Sequence, residues 1–127
     1  MRFSAPVALL VSLAALAQAQ QFVNFGQTCS SIQLVGSGAT QQLEATCRNT
    51  SSGDNGAQVI ALSTCLTNIN GSLRCQFNGN ALASCTGCSL SGTSLTCSCA
   101  ENGTGQSDST TIDLNTCIGN QNGRMFC

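Results

Sequence analysis

The chain of 127 residues holds ten Cys, four Arg, five acidic residues and no His, Lys, Trp or Tyr, with a formal charge of −1. Without imidazole or amine there is no ordinary base for a nucleophilic triad, and without a basic patch there is no footprint for nucleic acid or an anionic membrane. The expectation is a non-catalytic protein with no metal and no cofactor.

Arg2, the apolar run from Val7 to Leu16 and the small-x-small string Ala17-Gln18-Ala19 read as a cleavable export signal, too short and wrongly flanked for a membrane span. Residues 1–19 are therefore expected to be removed, leaving one secreted, extracellular domain over 20–127 with a formal charge of −2. Only 22 of its 108 residues are Val, Ile, Leu, Met or Phe, too few to bury a self-sufficient core, so disulfides must supply the difference. In an oxidising export route ten Cys imply five bridges, each contributing about 2 to 4 kcal/mol.

A period of 52 residues runs through the remainder. Cys47, Cys65 and Cys75 fall on Cys99, Cys117 and Cys127, and ten of the 29 positions from 47 to 75 are identical at that offset, among them Gly53 with Gly105, Ile60 with Ile112, Leu62 with Leu114 and Gly71 with Gly123. Upstream, Leu43 meets Leu95, while Cys29 meets Cys85 only across a four-residue deletion. Two tandem units follow, about 22–75 and 77–127.

In the first unit Ile32-Gln33-Leu34 and Val59-Ile60-Ala61-Leu62 alternate with period two, and the small polar residues over 48–57 read as a loop between strands. Asn68-Ile69-Asn70-Gly71-Ser72 closes a hairpin. A two-residue Asn-Gly loop would set Cys75 against Leu66, whereas a three-residue loop with Gly71 in the left-handed region sets it against Cys65. The three-residue loop and a Cys65–Cys75 bridge are expected together, because opposed Cα atoms lie within disulfide reach. In the second unit Gly92-Thr93 suits a type II′ turn that sets Leu90 against Leu95 and Cys88 against Cys97; Cys85 and Cys99 then need a bulge or a strand end to meet. Residues 100–109 read as a loop, Ile112-Asp113-Leu114 as a strand, and Asn120-Gln121-Asn122-Gly123 repeats the first hairpin, with Cys117 bridged to Cys127. Cys29 with Cys47 remains as the fifth bridge, and Cys85 with Cys97 plus Cys88 with Cys99 is the open alternative. There is no run of helical period and no Pro after Pro6, so the fold expected is all-β, with Gly and Asn making its turns.

Phe25-Gly26-Gln27-Thr28-Cys29, Leu43-Glu44-Ala45-Thr46-Cys47, Ile60-Ala61-Leu62 and Asn68-Ile69-Asn70-Gly71-Ser72-Leu73 resemble one repeat of the cyanovirin-N family of lectins. Leu95 to Cys99, Ile112-Asp113-Leu114-Asn115 and Ile118-Gly119-Asn120-Gln121-Asn122-Gly123 resemble the other, so the resemblance spans nearly all of the chain after the signal. It implies that each repeat supplies a three-stranded sheet and a hairpin, with elements exchanged between repeats to form two pseudo-symmetric halves. It also implies that Cys29–Cys47 and Cys85–Cys99 are the family's bridges. The other six Cys depart from the type member, as in a Cys-rich branch associated with fungi.

Members of that family bind mannose-rich oligosaccharides, often through one pocket at each end of the molecule. Position by position, the resemblance puts a terminal pocket on Asn24, Gln27, Thr28, Arg48, Thr50, Gly119, Asn120 and Asn122. A mid-chain pocket falls on Thr67, Asn68, Asn70, Asn78, Asn80, Glu101, Asn102 and Thr104. Asn, Gln, Thr and backbone amides on bridge-held loops supply the neutral donors and acceptors that sugar hydroxyls need. Arg48 and Thr67 stand where the family has acids, and Asn70 and Asn122 where it has aspartates. Turn geometry by itself accounts for Asn before Gly at 70 and 122, but does not require Asn at 68 and 120. Gln27 and Thr28 also suit the polar edge of a strand. Aromatic stacking has few partners, since Phe22, Phe25, Phe77 and Phe126 are expected in the core.

Three N-glycosylation sequons occur, Asn49-Thr50-Ser51, Asn70-Gly71-Ser72 and Asn102-Gly103-Thr104. Two lie in the mid-chain pocket, so the terminal pocket is expected to be the principal site. Cys85-Thr86-Gly87-Cys88 has the spacing of a redox motif or of half a zinc site with Cys97 and Cys99; without a helix start, and in an oxidising route, a structural bridge is expected instead. Asp108 and Asp113 flank an edge-like strand and match Gly56 and Ala61 in the other unit, which argues for solvated surface rather than a glycosidase pair. The expected function is a secreted lectin for oligosaccharide or glycoprotein glycans, monomeric or domain-swapped about the link Gln76 to Asn80. The alternative is an effector-like, protease-resistant structural or interaction scaffold that keeps the fold without sugar affinity.

Overall fold

A computed structural model describes residues 23–127, so the segment 1–19, expected to be an export signal, and Phe22 lie outside the described residues. In the first unit β1 (Cys29–Val35), β2 (Gln42–Cys47) and β3 (Gln58–Ala61) form an antiparallel sheet in that order. One α-helical turn, Leu62–Cys65, leads into a hairpin of β4 (Leu66–Ile69) and β5 (Ser72–Cys75). The second unit repeats the plan with β6 (Cys85–Ser91), β7 (Ser94–Ala100) and β8 (Ser107–Asp113), a 3-10 turn at Leu114–Thr116, and a hairpin of β9 (Gly119–Gln121) and β10 (Arg124–Phe126). Leu62 and Leu114, read as strand ends, instead begin these turns, because both side chains are buried and the chain must dive inward to bury them. The second turn is capped by Asp113, whose carboxylate accepts from the backbone N of Asn115 at 3.0 Å. The loop expected over 100–109 is shorter, since Ala100 pairs with Ser107 and the Thr-rich stretch after it joins the sheet.

Alternation decides which faces are buried. Leu43, Ala45 and Cys47 point inward from β2, and Leu95, Cys97 and Cys99 do the same from β7, the same positions 52 residues on. With Phe25, Leu62, Leu66, Leu73, Leu114 and Ile118 they form one continuous core. Phe77 and Phe126, expected there, are 66% and 41% exposed. In β10 it is Met125 that faces inward, so Phe126 must face out. Phe77 lies in a link whose backbone is tied to the helical turn, Asn78 N to Thr64 O at 2.7 Å and Asn80 N to Ser63 O at 2.9 Å.

The hairpins are exchanged. The β4–β5 hairpin packs on β7 and β8 of the second unit, where the backbone N of Leu73 donates to Thr110 Oγ1 at 3.1 Å. The β9–β10 hairpin packs on β2 and β3 of the first unit, and Phe25 N donates to Ile118 O at 3.0 Å. Each half therefore combines one unit's sheet with the other unit's hairpin.

Five bridges leave no described Cys free. Cys29–Cys47, Cys85–Cys99 and Cys88–Cys97 form as expected, with the anticipated bulge between Thr86 and Ser89 bringing Cys85 opposite Cys99. The remaining two are not Cys65–Cys75 and Cys117–Cys127 but Cys65–Cys127 and Cys75–Cys117. The cause is register: both hairpins close through two residues, Ile69 opposite Ser72 and Gln121 opposite Arg124, so Leu66 rather than Cys65 faces Cys75. A shift of 52 residues turns the Cys65–Cys127 pairing into Cys117 with Cys75, so the two crossed bridges are equivalents under the pseudo-symmetry.

Candidate functional site

The exchange brings the loop after β2 against the tip of the β9–β10 hairpin. Asn120 sits at the junction. Its amide Nδ2 donates to Thr28 Oγ1 at 2.9 Å and to Arg48 O at 2.8 Å, and its Oδ1 accepts from Gly123 N at 2.9 Å. Both amide protons and one lone pair are thus used inside the protein, which makes Asn120 the brace of the site. Asn122, at φ 52 in the turn, accepts at Oδ1 from both Thr50 N and Thr50 Oγ1 at 3.0 Å. Asn55 Nδ2 donates to Asn122 O at 2.9 Å and its Oδ1 accepts from Asn49 Nδ2 at 3.0 Å. Asn49 Oδ1 in turn accepts from Ser51 N and Gly53 N at 3.0 and 3.1 Å, closing the loop on itself. Hydrogen bonds within reach of several partners polarise and fix one another, so the walls are set before any ligand arrives.

These residues enclose an open cleft of about 400 Å³ lined by Thr28, Arg48, Asn49, Thr50, Ser52, Asn120 and Asn122. A second hollow of about 350 Å³ adjoins it through Thr28 and Arg48 and is lined by Gln27, Ser30, Thr46 and Asp54 as well. Arg48 lies exposed on the wall common to both, and its guanidinium makes no hydrogen bond or ion pair among the described residues. Its five N–H donors face solvent, as do the hydroxyl of Ser52 and the remaining lone pairs of Thr50. Of the residues anticipated for this end, Thr28, Arg48, Thr50, Asn120 and Asn122 line the cleft and Gln27 the adjoining hollow. Asn24 is at the start of the 3-10 turn Phe25–Gln27 at φ 64, its backbone N bonded to Asn115 O, and Gly119 is buried at the start of β9. Asn49, Ser52, Asp54 and Asn55 were not anticipated as part of the site. Their signal was the repeated Asn and Gly of 49–56, which closes an Asx-type loop rather than a featureless connection.

The mid-chain set reproduces the bracing but not the cleft's donors. Asn68 Nδ2 donates to Ser84 Oγ at 2.8 Å and to Ala100 O at 2.9 Å, and its Oδ1 accepts from Gly71 N at 2.8 Å. Asn70 Oδ1 accepts from Asn102 N at 2.9 Å, as Asn122 does from Thr50. Where the terminal cleft has Arg48, this end has Ala100, and Glu101 supplies the charge, its Oε1 accepting from Thr104 Oγ1 at 3.1 Å. Thr67 bridges to Asn80, and Asn78 and Asn80 both adopt positive φ in the link. That link is held close, since a Cβ at Gly79 would stand 2.5 Å from Leu66 O.

A family model described as CVNH domain matches residues 25–126. Among solved structures, the CVNH protein of T. borchii superposes with a TM-score of 0.66 at 30% identity, covering 81% of this chain and 97% of its own. The CVNH protein of Gibberella zeae gives 0.64 at 23% identity, covering 81% and 95%. The MoCVNH3 variant solved in complex with (N-GlcNAc)4 gives 0.68 at 20% identity, covering 82% and 96%. A comparison with curated proteins finds no match.

Proposed function

The chain belongs to the CVNH domain family, and on that premise we propose that it is a secreted, non-catalytic lectin that takes mannose-rich oligosaccharides in the terminal cleft. The observation that carries the reading is the cleft itself: an open volume of about 400 Å³ lined by polar residues, braced by Asn120, Asn122 and Asn55 and offering Arg48, Thr50 and Ser52 to a neutral, hydroxyl-rich ligand. A neutral sugar gains from donors whose orientation is fixed in advance, because less freedom is lost on binding. Arg48 adds a fork that can span two adjacent hydroxyl oxygens. The family's fold supports the class of ligand, and the relative solved with an N-acetylglucosamine oligomer supports testing that sugar beside mannose. Export is supported by five bridges, which persist in oxidising compartments.

The test is a glycan array probed with the oxidised protein, followed by calorimetric titration of the best hit against Arg48→Ala and Thr50→Ala. Mannose-class binding weakened about 5- to 150-fold by either change, the loss of one or two hydrogen bonds of about 1 to 1.5 kcal/mol each, is the expected result. Binding to no glycan by a folded, five-bridge sample would replace this reading with the scaffold alternative.

A further inference from the structure

The fold treats the three sequons differently. Asn49 is half-buried, and its carboxamide is engaged on both sides by Ser51, Gly53 and Asn55. Asn70 is exposed but sits at φ 50 in a two-residue turn, its Oδ1 holding the backbone N of Asn102, ahead of a buried Gly71. Asn102 is exposed on the 101–106 loop, its side-chain amide has no partner among the described residues, and Gly103 and Thr104 after it are exposed as well. An oligosaccharide on Asn102 costs the folded protein no internal hydrogen bond and meets no packed neighbour.

We propose that Asn102 is an N-glycosylation site and that its glycan covers the mid-chain site. The donor is an oligosaccharide carried on a lipid diphosphate in the membrane of the export pathway. Asn102 Nδ2 bonds to the anomeric carbon, the bond from that carbon to the diphosphate oxygen breaks, one amide proton passes to the transferase, and the lipid diphosphate leaves; nothing is oxidised or reduced. The attachment point follows from the pseudo-symmetry. Asn102 N bonds Asn70 Oδ1 as Thr50 N bonds Asn122 Oδ1, so Asn102 occupies the rim position that Thr50 holds in the terminal cleft. At the terminal end Thr50 is not a glycan acceptor, and the neighbouring Asn49 amide is turned into its loop. Modification therefore closes one end and leaves the other open. The masking half of the proposal rests on the lectin reading; the modification does not.

The sequence makes the test direct. Cleavage after Arg74 and Arg124 isolates Asn102 in peptide 75–124, apart from Asn49 and Asn70 in 49–74. The full chain, secreted from a eukaryotic host, is reduced, alkylated, digested and weighed before and after treatment with peptide N-glycosidase. A hexose-rich mass on 75–124, released by the glycosidase with conversion of position 102 to the acid, is expected; a bare peptide 75–124 overturns the proposal. Calorimetry with a mannose-rich oligosaccharide then compares this chain with one made unglycosylated in a bacterial periplasm. The masking requires that the mid-chain set, which repeats the terminal bracing through Asn68 and Asn70, also takes the oligosaccharide when bare, so a twofold higher stoichiometry for the unglycosylated chain is expected, and equal binding stoichiometries overturn the masking. Absence of sugar binding in both forms sinks the lectin reading and with it the masking, while the mass on 75–124 still decides the modification.

Discussion

Removing the Cys65–Cys127 bridge by Cys65→Ser/Cys127→Ser tests the exchanged architecture most sharply. Alone, that bridge closes a loop of 62 residues, for which the chain-entropy relation gives about 4.3 kcal/mol. It does not act alone, because Cys75–Cys117 already joins the two units. With that bridge in place the shortest closed path runs from 65 to 75 and from 117 to 127, on the order of 20 residues, and the same relation gives about 3.3 kcal/mol. Deleting both bridges removes about 7 kcal/mol, close to the whole stability of a small domain. The expectation is a folded double variant whose melting temperature falls by about 12 to 25 °C, and a quadruple variant that does not fold. Differential scanning calorimetry reads the first and circular dichroism the second. Trypsin supplies the refutation without any mutation, since the chain has no Lys and Arg74 separates Cys65 from Cys75. Crossed bridges leave peptide 49–74 linked only to Met125-Phe126-Cys127 under non-reducing conditions. A species joining 49–74, 75–124 and the tripeptide together would mean hairpin-local bridges and would refute the reasoning.

Cys88→Ile/Cys97→Ala should keep the fold and lose at most about 2.6 kcal/mol by chemical denaturation, because the bridge closes only 9 residues and the first unit fills the same places with Ile32 and Ala45. Gly123→Ala, at φ 90 with a new Cβ driven into the Asn55 amide, should cost at least about 1 to 2 kcal/mol and disrupt the Asn55–Asn122 contact; a neutral effect on the melting temperature would contradict the turn geometry. Asn120→Ala should lower stability by about 1 to 3 kcal/mol, since it orphans Gly123 N and frees Thr28 and Arg48, whereas Arg48→Ala should be neutral to within about 0.5 kcal/mol in the same melt. Should the chain swap elements between two copies before oxidation, both crossed bridges become intermolecular; monomer on a non-reducing gel, with no covalent dimer, is the expected result.

What could be read from the sequence was whatever is local or repeated. Inward Leu43 and Leu95 follow from alternation, the Cys85–Cys99 bulge from counting back from Gly92-Thr93, and the two units from the 52-residue period. The crossed bridges were hidden because a hairpin offers a local partner at nearly the right distance. One residue of loop length decides whether Cys65 or Leu66 faces Cys75, and Asn-Gly supports the shorter loop. The exposed Phe77 and Phe126 were hidden for a similar reason: apolar content says what a residue prefers, while position in β10 or in a tethered link says which way it points. At the site, Thr28, Arg48 and Thr50 came from the resemblance. The loop that organises them, with Asn49 bound to Asn55 and Asn55 to the Asn122 turn, depends on contacts across 67 residues of sequence that no local pattern encodes.

The exchange of hairpins is also what creates the sites. Thr28 and the loop 48–55 belong to the first unit, and Asn120 and Asn122 to the second; at the other end Asn68 and Asn70 come from the first and Ser84 and Asn102 from the second. A single unit folded on itself would own half of each. Stability and ligand geometry are therefore coupled through the same contacts: the bridges from Cys65 and Cys75 tie the base of each hairpin to the other unit, while Asn68 and Asn120 tie the tips. On the proposed sugar binding, a substitution that loosens a hairpin base should widen the cleft wall and weaken the affinity read by calorimetry, whereas one within a sheet, such as loss of Cys88–Cys97, should leave that affinity unchanged at temperatures where the protein stays folded.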